Sequence, residues 1–209
     1  MKAGTDYLLI VEDDPDILHL LDAALTFRGY QVVTARNGKE GLDIIQLKRP
    51  VVVIADIMMP KLDGFGLVHR IRIQPETRDI PVVFITATYV SREDQAFALH
   101  LGATRFIQKP LDLDKFLETI KDLLDQGLPT LIQPLSDLQF YEEYRRRLEA
   151  KREEKIRQIA RDEHLLKTSV DREDSALQAA LRQAIQERDE ITFLLEQIDE
   201  QLGKFAKST

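Results

Sequence analysis

Residues 51–60 read VVVIADIMMP: four β-branched residues and an alanine run into Asp56, followed by Ile57-Met58-Met59-Pro60. A continuous apolar run of this kind is the pattern of a strand covered on both faces, as in a parallel sheet, and such a core has no place for an unpaired carboxylate. Asp56 is therefore expected to be the first residue past the rim of the sheet, at the carboxyl end of a buried central strand.

The flanking sequence supplies the rest of that sheet. Short β-branched runs at Tyr7 to Val11, Gln31 to Ala35, Val51 to Ala55, Val82 to Thr86 and Thr104 to Ile107 each precede a helix-period stretch. Five such βα units, ending near residue 126, predict an α/β fold: a doubly wound parallel sheet with helices on both faces. Local signals punctuate it. Pro15 opens the first helix and Arg28-Gly29 closes it, Asn37 and Ser91 are N-caps, and Leu101-Gly102 stops the fourth helix.

Ligands of open parallel sheets collect at the carboxyl ends of the strands. Here those ends carry Glu12-Asp13-Asp14, Asp56, Thr86 and Lys109-Pro110. Taken alone, Asp13 or Asp14 reads as a helix N-cap and Thr86 as a strand threonine. Gathered at one edge, the acids repel unless a cation joins them, and a hard, oxygen-ligated ion such as Mg²⁺ suits them. One lysine and one hydroxyl beside the acids point to an anionic guest with several oxygens. A phosphoryl group satisfies both conditions.

With these positions, residues 5–126 resemble the receiver domain of two-component response regulators, the CheY-like family with a flavodoxin-like (βα)5 fold. The resemblance rests on Glu12-Asp13, Asp56, Thr86, Lys109-Pro110 and Asp63-Gly64 in MMPKLDGFG. It implies that Asp56 is the phosphoacceptor and that Mg²⁺ is held by Glu12, Asp13, Asp56 and the backbone carbonyl of Met58. It further implies that Lys109 and Thr86 contact the phosphoryl oxygens, that Thr86 and Phe106 form the switch, and that a cis bond precedes Pro110. A histidine kinase is the implied donor, with no enzymatic activity beyond phosphotransfer onto Asp56 and its hydrolysis. Met58 and Thr88, two residues past the aspartate and the threonine, offer no carboxylate or amide to orient an attacking water. The acyl phosphate is therefore expected to be long-lived.

Composition agrees with such a role. The 209 residues are 44% hydrophobic, contain no cysteine and carry a formal net charge of −7. Disulfide and thiolate-metal chemistry are excluded, and the overall charge does not favour direct DNA binding. Neither a membrane span nor a signal peptide is visible, so a cytoplasmic location is expected.

Residues 127–137 read as a linker, and 138–209 as a helical coiled-coil region. Between 135 and 202 there is neither Gly nor Pro. Ser136-Asp137-Leu138-Gln139 fits a capping box. Leu177, Leu181, Ala184, Arg188, Ile191, Leu195, Ile198, Leu202 and Phe205 form a heptad seam, with Ile156, Ile159, Leu166 and Val170 placed in the same phase. Two architectures remain open. A continuous helix of about 100 Å would be stable only as a dimeric coiled coil, and in either architecture the helices are expected to promote a homodimer. A hairpin turning near Lys167-Thr168-Ser169 would set Arg145 to Lys151 against Glu187, Asp189 and Glu190, although Arg152 and Lys155 make a poor inner face. Its tip would carry Asp171 and Asp174, like the Gre and DksA factors that act on RNA polymerase. No helix-turn-helix follows the receiver, so the output is expected to be a protein interaction.

Overall fold

The apolar run forms the middle of a five-stranded, all-parallel sheet in the computed structural model, which describes residues 6–86, 92–126, 134–168 and 175–206. The strands are β1 (Leu8–Val11), β2 (Val32–Ala35), β3 (Val52–Asp56), β4 (Val82–Thr86) and β5 (Arg105–Gln108), in the order β2-β1-β3-β4-β5. Every residue of β1, β3 and β4 is buried, as covering on both faces requires. Asp56 closes β3 rather than following it, pairing in register with Ile85. The expected boundary was one residue short, because the ladder continues to the carboxylate.

Successive residues feed opposite faces of the sheet. Leu8, Ile10, Val52, Ile54, Val83 and Ile85 meet α1 (Pro15–Phe27) and α5 (Leu113–Gln126) through Leu18, Leu21, Leu25, Phe116 and Ile120. On the other face lie α2 (Gly38–Leu47), α3 (Gly64–Ile73) and α4 (Arg92–His100), where the Phe65 ring packs edge-on against Phe84 and Phe97. The boundaries follow local chemistry. Asp14 caps α1 by accepting from the Asp16 and Ile17 amides, with Pro15 in the first turn. Gly29 and Gly102 take φ of +84° and +96° after α1 and α4, each within the paired backbone bonds of a Schellman ending. Ser91 lies outside the described residues.

The chain divides into two compact units at Leu135–Ser136. In the second, α6 (Asp137–Thr168) and α7 (Ser175–Ala206) lie antiparallel, each about 48 Å long. The capping box is present: the Gln139 amide donates to Ser136 Oγ at 3.3 Å, and the Ser136 amide to Gln139 Oε1 at 3.2 Å. All nine expected seam residues of α7 are buried or half-buried. They face Phe140, Tyr144, Leu148 and Ile159 of the same chain, so the continuous rod does not form. The seam no longer requires a second chain.

Two details of that reading are corrected. Ile156 is 49% exposed, because Lys155 takes the inner position beside it and places its ammonium on Glu187. A long side chain can occupy such a site by laying its stem along the seam and keeping its charge at the edge. The register also differs: Arg145 pairs with Asp199 at 2.6 Å, about ten residues beyond the expected partners. Ser169, Val170, Asp171 and Asp174 lie outside the described residues.

Candidate phosphoryl and metal site

Chain order reverses at β1, whose neighbours in the sheet are β2 and β3, and the crevice above such a reversal is where the acids meet. Glu12 and Asp13 leave the end of β1, Asp56 ends β3, and the loop after β5 brings Lys109 across. One oxygen from each of Glu12, Asp13 and Asp56 lies within 4.8 Å of the others. Lys109 Nζ donates to Glu12 Oε2 at 2.9 Å and to Asp56 Oδ1 at 3.3 Å. The loop is closed by the cis Lys109–Pro110 bond and by the Lys109 amide, which donates to the Thr86 carbonyl at 2.6 Å.

Burial separates the three acids. Glu12 and Asp56 are 2% and 8% exposed, whereas Asp13 faces solvent. Burial pushes the Glu12 carboxyl up to about 7; the Asp56 charge adds to this, and the Lys109 ammonium pulls the other way. Asp56 is raised as well, by burial first, against the pull of Lys109 and with Asp13 adding to the rise. For Lys109 burial acts downward, but the charges of Asp56 and Glu12 together hold it above its ordinary value. Three carboxylates and one ammonium make a pocket that is short of positive charge. Hard oxygen donors with one solvent-facing member suit a divalent cation that keeps some of its water.

A pH dependence follows from Glu12. Its pKa is raised on folding, so its stabilising contribution is complete below about pH 4.5 and gone above about pH 7, a change of up to roughly 3 kcal/mol. In EDTA, the stability of the parent chain relative to Glu12→Gln should therefore fall between pH 5 and pH 8. Thermal melts of the two proteins measure it; parallel pH profiles would contradict it.

The remaining expected residues fall into place by element. Thr86 is buried at the end of β4, and Phe106, opposite Phe84 on β5, is half-buried. The Met58 amide donates to Asp56 Oδ2 at 3.1 Å, fixing the start of the β3–α3 loop against the carboxylate. Asp63 is buried and caps α3, accepting from the Gly66 amide at 2.8 Å. Gly64 admits no side chain, since a Cβ would lie 2.3 Å from the Asp56 carbonyl. Thr88 lies outside the described residues. Sequence reading missed the approach of α2 to this loop: Asn37-Gly38 signals only a helix start, although the Gly38 amide donates to the Leu62 carbonyl at 2.9 Å.

Known proteins resemble the first unit. The response regulator receiver domain family matches residues 8–121. The probable transcriptional regulator ycf27 of Cyanophora paradoxa is 37% identical over 124 residues, which is 59% of this chain and 50% of that protein. The transcriptional regulatory protein GlrR of Escherichia coli is 40% identical over 124 residues, covering 59% of this chain and 27% of its own length. The chain thus spans half or less of these curated relatives. Among solved structures, the receiver domain of a signal transduction histidine kinase from Syntrophus aciditrophicus superposes with a TM-score of 0.55 at 35% identity, covering 58% of this chain and 92% of that one. For chemotaxis protein CheY4 of Vibrio cholerae the values are 0.53, 30%, 56% and 98%.

Proposed function

The chain belongs to the response regulator receiver family, and on that premise we propose that it is a phosphorylation-dependent signalling protein. Asp56 takes a phosphoryl group from a histidine kinase, and the helical hairpin carries the output. The observation behind this reading is the convergence of Glu12, Asp13 and Asp56 within 4.8 Å, with Lys109 bonded to two of them.

The chemistry we assign is a displacement at phosphorus. An Asp56 carboxylate oxygen attacks, the bond from phosphorus to the donor's histidine nitrogen breaks, and an acyl phosphate forms on Asp56. Mg²⁺, held by Glu12, Asp13, Asp56 and the Met58 carbonyl, would supply the positive charge that offsets the phosphoryl oxygens. Lys109 then exchanges a carboxylate partner for a phosphoryl oxygen, and the Thr86 hydroxyl takes another. Movement of Thr86 with Phe106 changes the surface beside β5, and we place the signal there. The chain turns over no other substrate in this scheme. Incubation with acetyl phosphate and Mg²⁺ should add one phosphoryl group per chain, and EDTA should prevent it. Failure to label in Mg²⁺ would count against the reading.

Slow loss of the phosphoryl group is part of the same reading. The Met58 thioether is a poor hydrogen-bond partner for an attacking water, so a half-life of minutes to hours is expected, and Met58→Asn should shorten it by roughly tenfold. Release of phosphate from the purified acyl phosphate measures both. Decay of the parent within seconds would contradict the expectation.

The output is docking of the hairpin on another macromolecule. The two curated relatives named above carry the names of a probable transcriptional regulator and a transcriptional regulatory protein, but the family match ends at residue 121, ahead of α6. Their transcriptional role is therefore not carried over. A second copy of the chain stays among the proposed partners, although the heptad seam itself closes within one chain. RNA polymerase would depend on Asp171 and Asp174, which lie outside the described residues. A cytoplasmic site of action suits a kinase-driven receiver; among the described residues no helix is long and apolar enough to cross a membrane.

A further inference from the structure

We propose that Gly38, the first residue of α2, is a positioning residue for the phosphoryl and metal site, an inference that rests on the reading of that site given above. The loop from Ile57 to Asp63 carries the Met58 carbonyl and leads away from Asp56. Its middle is a tight turn: the Leu62 amide donates to the Pro60 carbonyl at 2.8 Å around Lys61, whose φ is +66°. A three-residue turn with positive central φ is strained for any residue with a side chain and persists only where its surroundings enforce it.

The start of α2 is that surrounding. The Gly38 amide donates to the Leu62 carbonyl at 2.9 Å, and Glu40 approaches Lys61 Nζ at 3.7 Å. A Cβ on Gly38 would lie 2.4 Å from the Leu62 carbonyl oxygen and 3.0 Å from Leu62 Cγ. The obstacle is backbone, so a side chain here displaces the loop by several tenths of an ångström or more. Buried Asn37 fixes the helix start itself: its Oδ1 accepts from the Glu40 amide at 3.0 Å, and its Nδ2 donates to Glu40 Oε1 at 2.6 Å. The chain entering from β2 thus holds the far end of a loop whose near end, through the Met58 amide, is bonded to Asp56. The atoms nearest a Cβ at Gly38 all belong to Leu62, so Gly38 acts on the site through that residue.

Calorimetric titration of Mg²⁺ into the full chain tests this, comparing the parent with Gly38→Ala and Gly29→Ala. Gly29 has φ +84° but open space around a Cβ, so alanine there strains the backbone without touching the loop. Gly38→Ala should weaken the Mg²⁺ Kd by about tenfold, the scale expected for sub-ångström misplacement of a ligand, whereas Gly29→Ala should leave it within about twofold. An unchanged Kd in Gly38→Ala, or equal weakening in both variants, overturns the proposal. If circular dichroism shows Gly38→Ala unfolded, Asn37→Ala decides: it loosens the same turn without adding an atom and should weaken Kd about threefold, and an unchanged value is again contrary. A parent chain that binds no Mg²⁺ overturns the site reading together with this one; Mg²⁺ binding insensitive to Gly38 overturns this one alone.

Discussion

Asp56→Asn is expected to take up no phosphoryl group from acetyl phosphate and Mg²⁺, and in EDTA to fold at least as stably as the parent chain. The first part follows from chemistry, since a carboxamide of nearly the same shape has no anionic oxygen to attack phosphorus. The second follows from the electrostatics of the pocket. Burial raises the Asp56 pKa, so at neutral pH the folded state pays to keep that carboxylate ionised. The amide removes this cost. Lys109 gives up its ion pair with Asp56, 3.3 Å long, but keeps the one with Glu12 at 2.9 Å. The gain should appear as a higher Tm for the variant. With Mg²⁺ present the order should reverse, because the variant lacks one proposed ligand. Mass spectrometry and paired melts read both effects. Label retained by Asp56→Asn, or a lower Tm in EDTA, would contradict the account.

The largest effect on stability is expected far from the acids, at Arg72. This arginine is 6% exposed; its guanidinium donates to the Gly102 carbonyl from Nη2 at 2.7 Å and from Nε at 3.2 Å, and to the Ile80 carbonyl from Nη1 at 2.9 Å. One side chain of α3 thereby holds Ile80, two residues ahead of β4, and the glycine that ends α4. Burial brings its pKa down to about 10, with the nearby Asp79 charge opposing, so it stays protonated at neutral pH. Arg72→Ala would strand two carbonyls and leave a cavity, at a cost of about 3 kcal/mol. Arg72→Met refills most of the volume and should cost about 2 kcal/mol, and Arg72→Lys cannot reproduce the fork. Urea unfolding measures the series. A loss below about 1 kcal/mol for Arg72→Ala would show that burying the charge cancels its bonds.

Arg72 also marks where reading the sequence stops. The strand ends and the helix stops at Gly29 and Gly102 are legible because each depends on a few consecutive residues, whether a β-branched run or a glycine able to take positive φ. The acids are legible because a parallel sheet brings its strand ends to one edge whatever the loops do. Arg72, by contrast, reads as an ordinary basic residue in the last turn of a helix. Its partners lie 8 and 30 residues away and are backbone atoms, which leave no trace in side-chain pattern. Gly38 is the same case, since the Leu62 carbonyl it admits is invisible in sequence.

The hairpin failed to declare itself for a different reason. A heptad stripe on α7 specifies a partner helix but not whose chain supplies it, and Arg152 and Lys155 look unfit for an inner face. That objection lapses once Glu187 stands opposite Lys155. The pairing depends on register, and the sequence between α6 and α7 carries no glycine or proline to mark where the chain reverses.

The central claim is that the carboxylate ending VVVIAD carries the signal. It is tested most directly by borohydride reduction of the chain after treatment with acetyl phosphate and Mg²⁺, followed by peptide sequencing. Reduction cleaves an acyl phosphate and converts the aspartate that bore it to homoserine. The account predicts homoserine at position 56 alone, and none when EDTA replaces Mg²⁺; homoserine at Asp13 or another acid, or an intact Asp56 in phosphorylated protein, would contradict it.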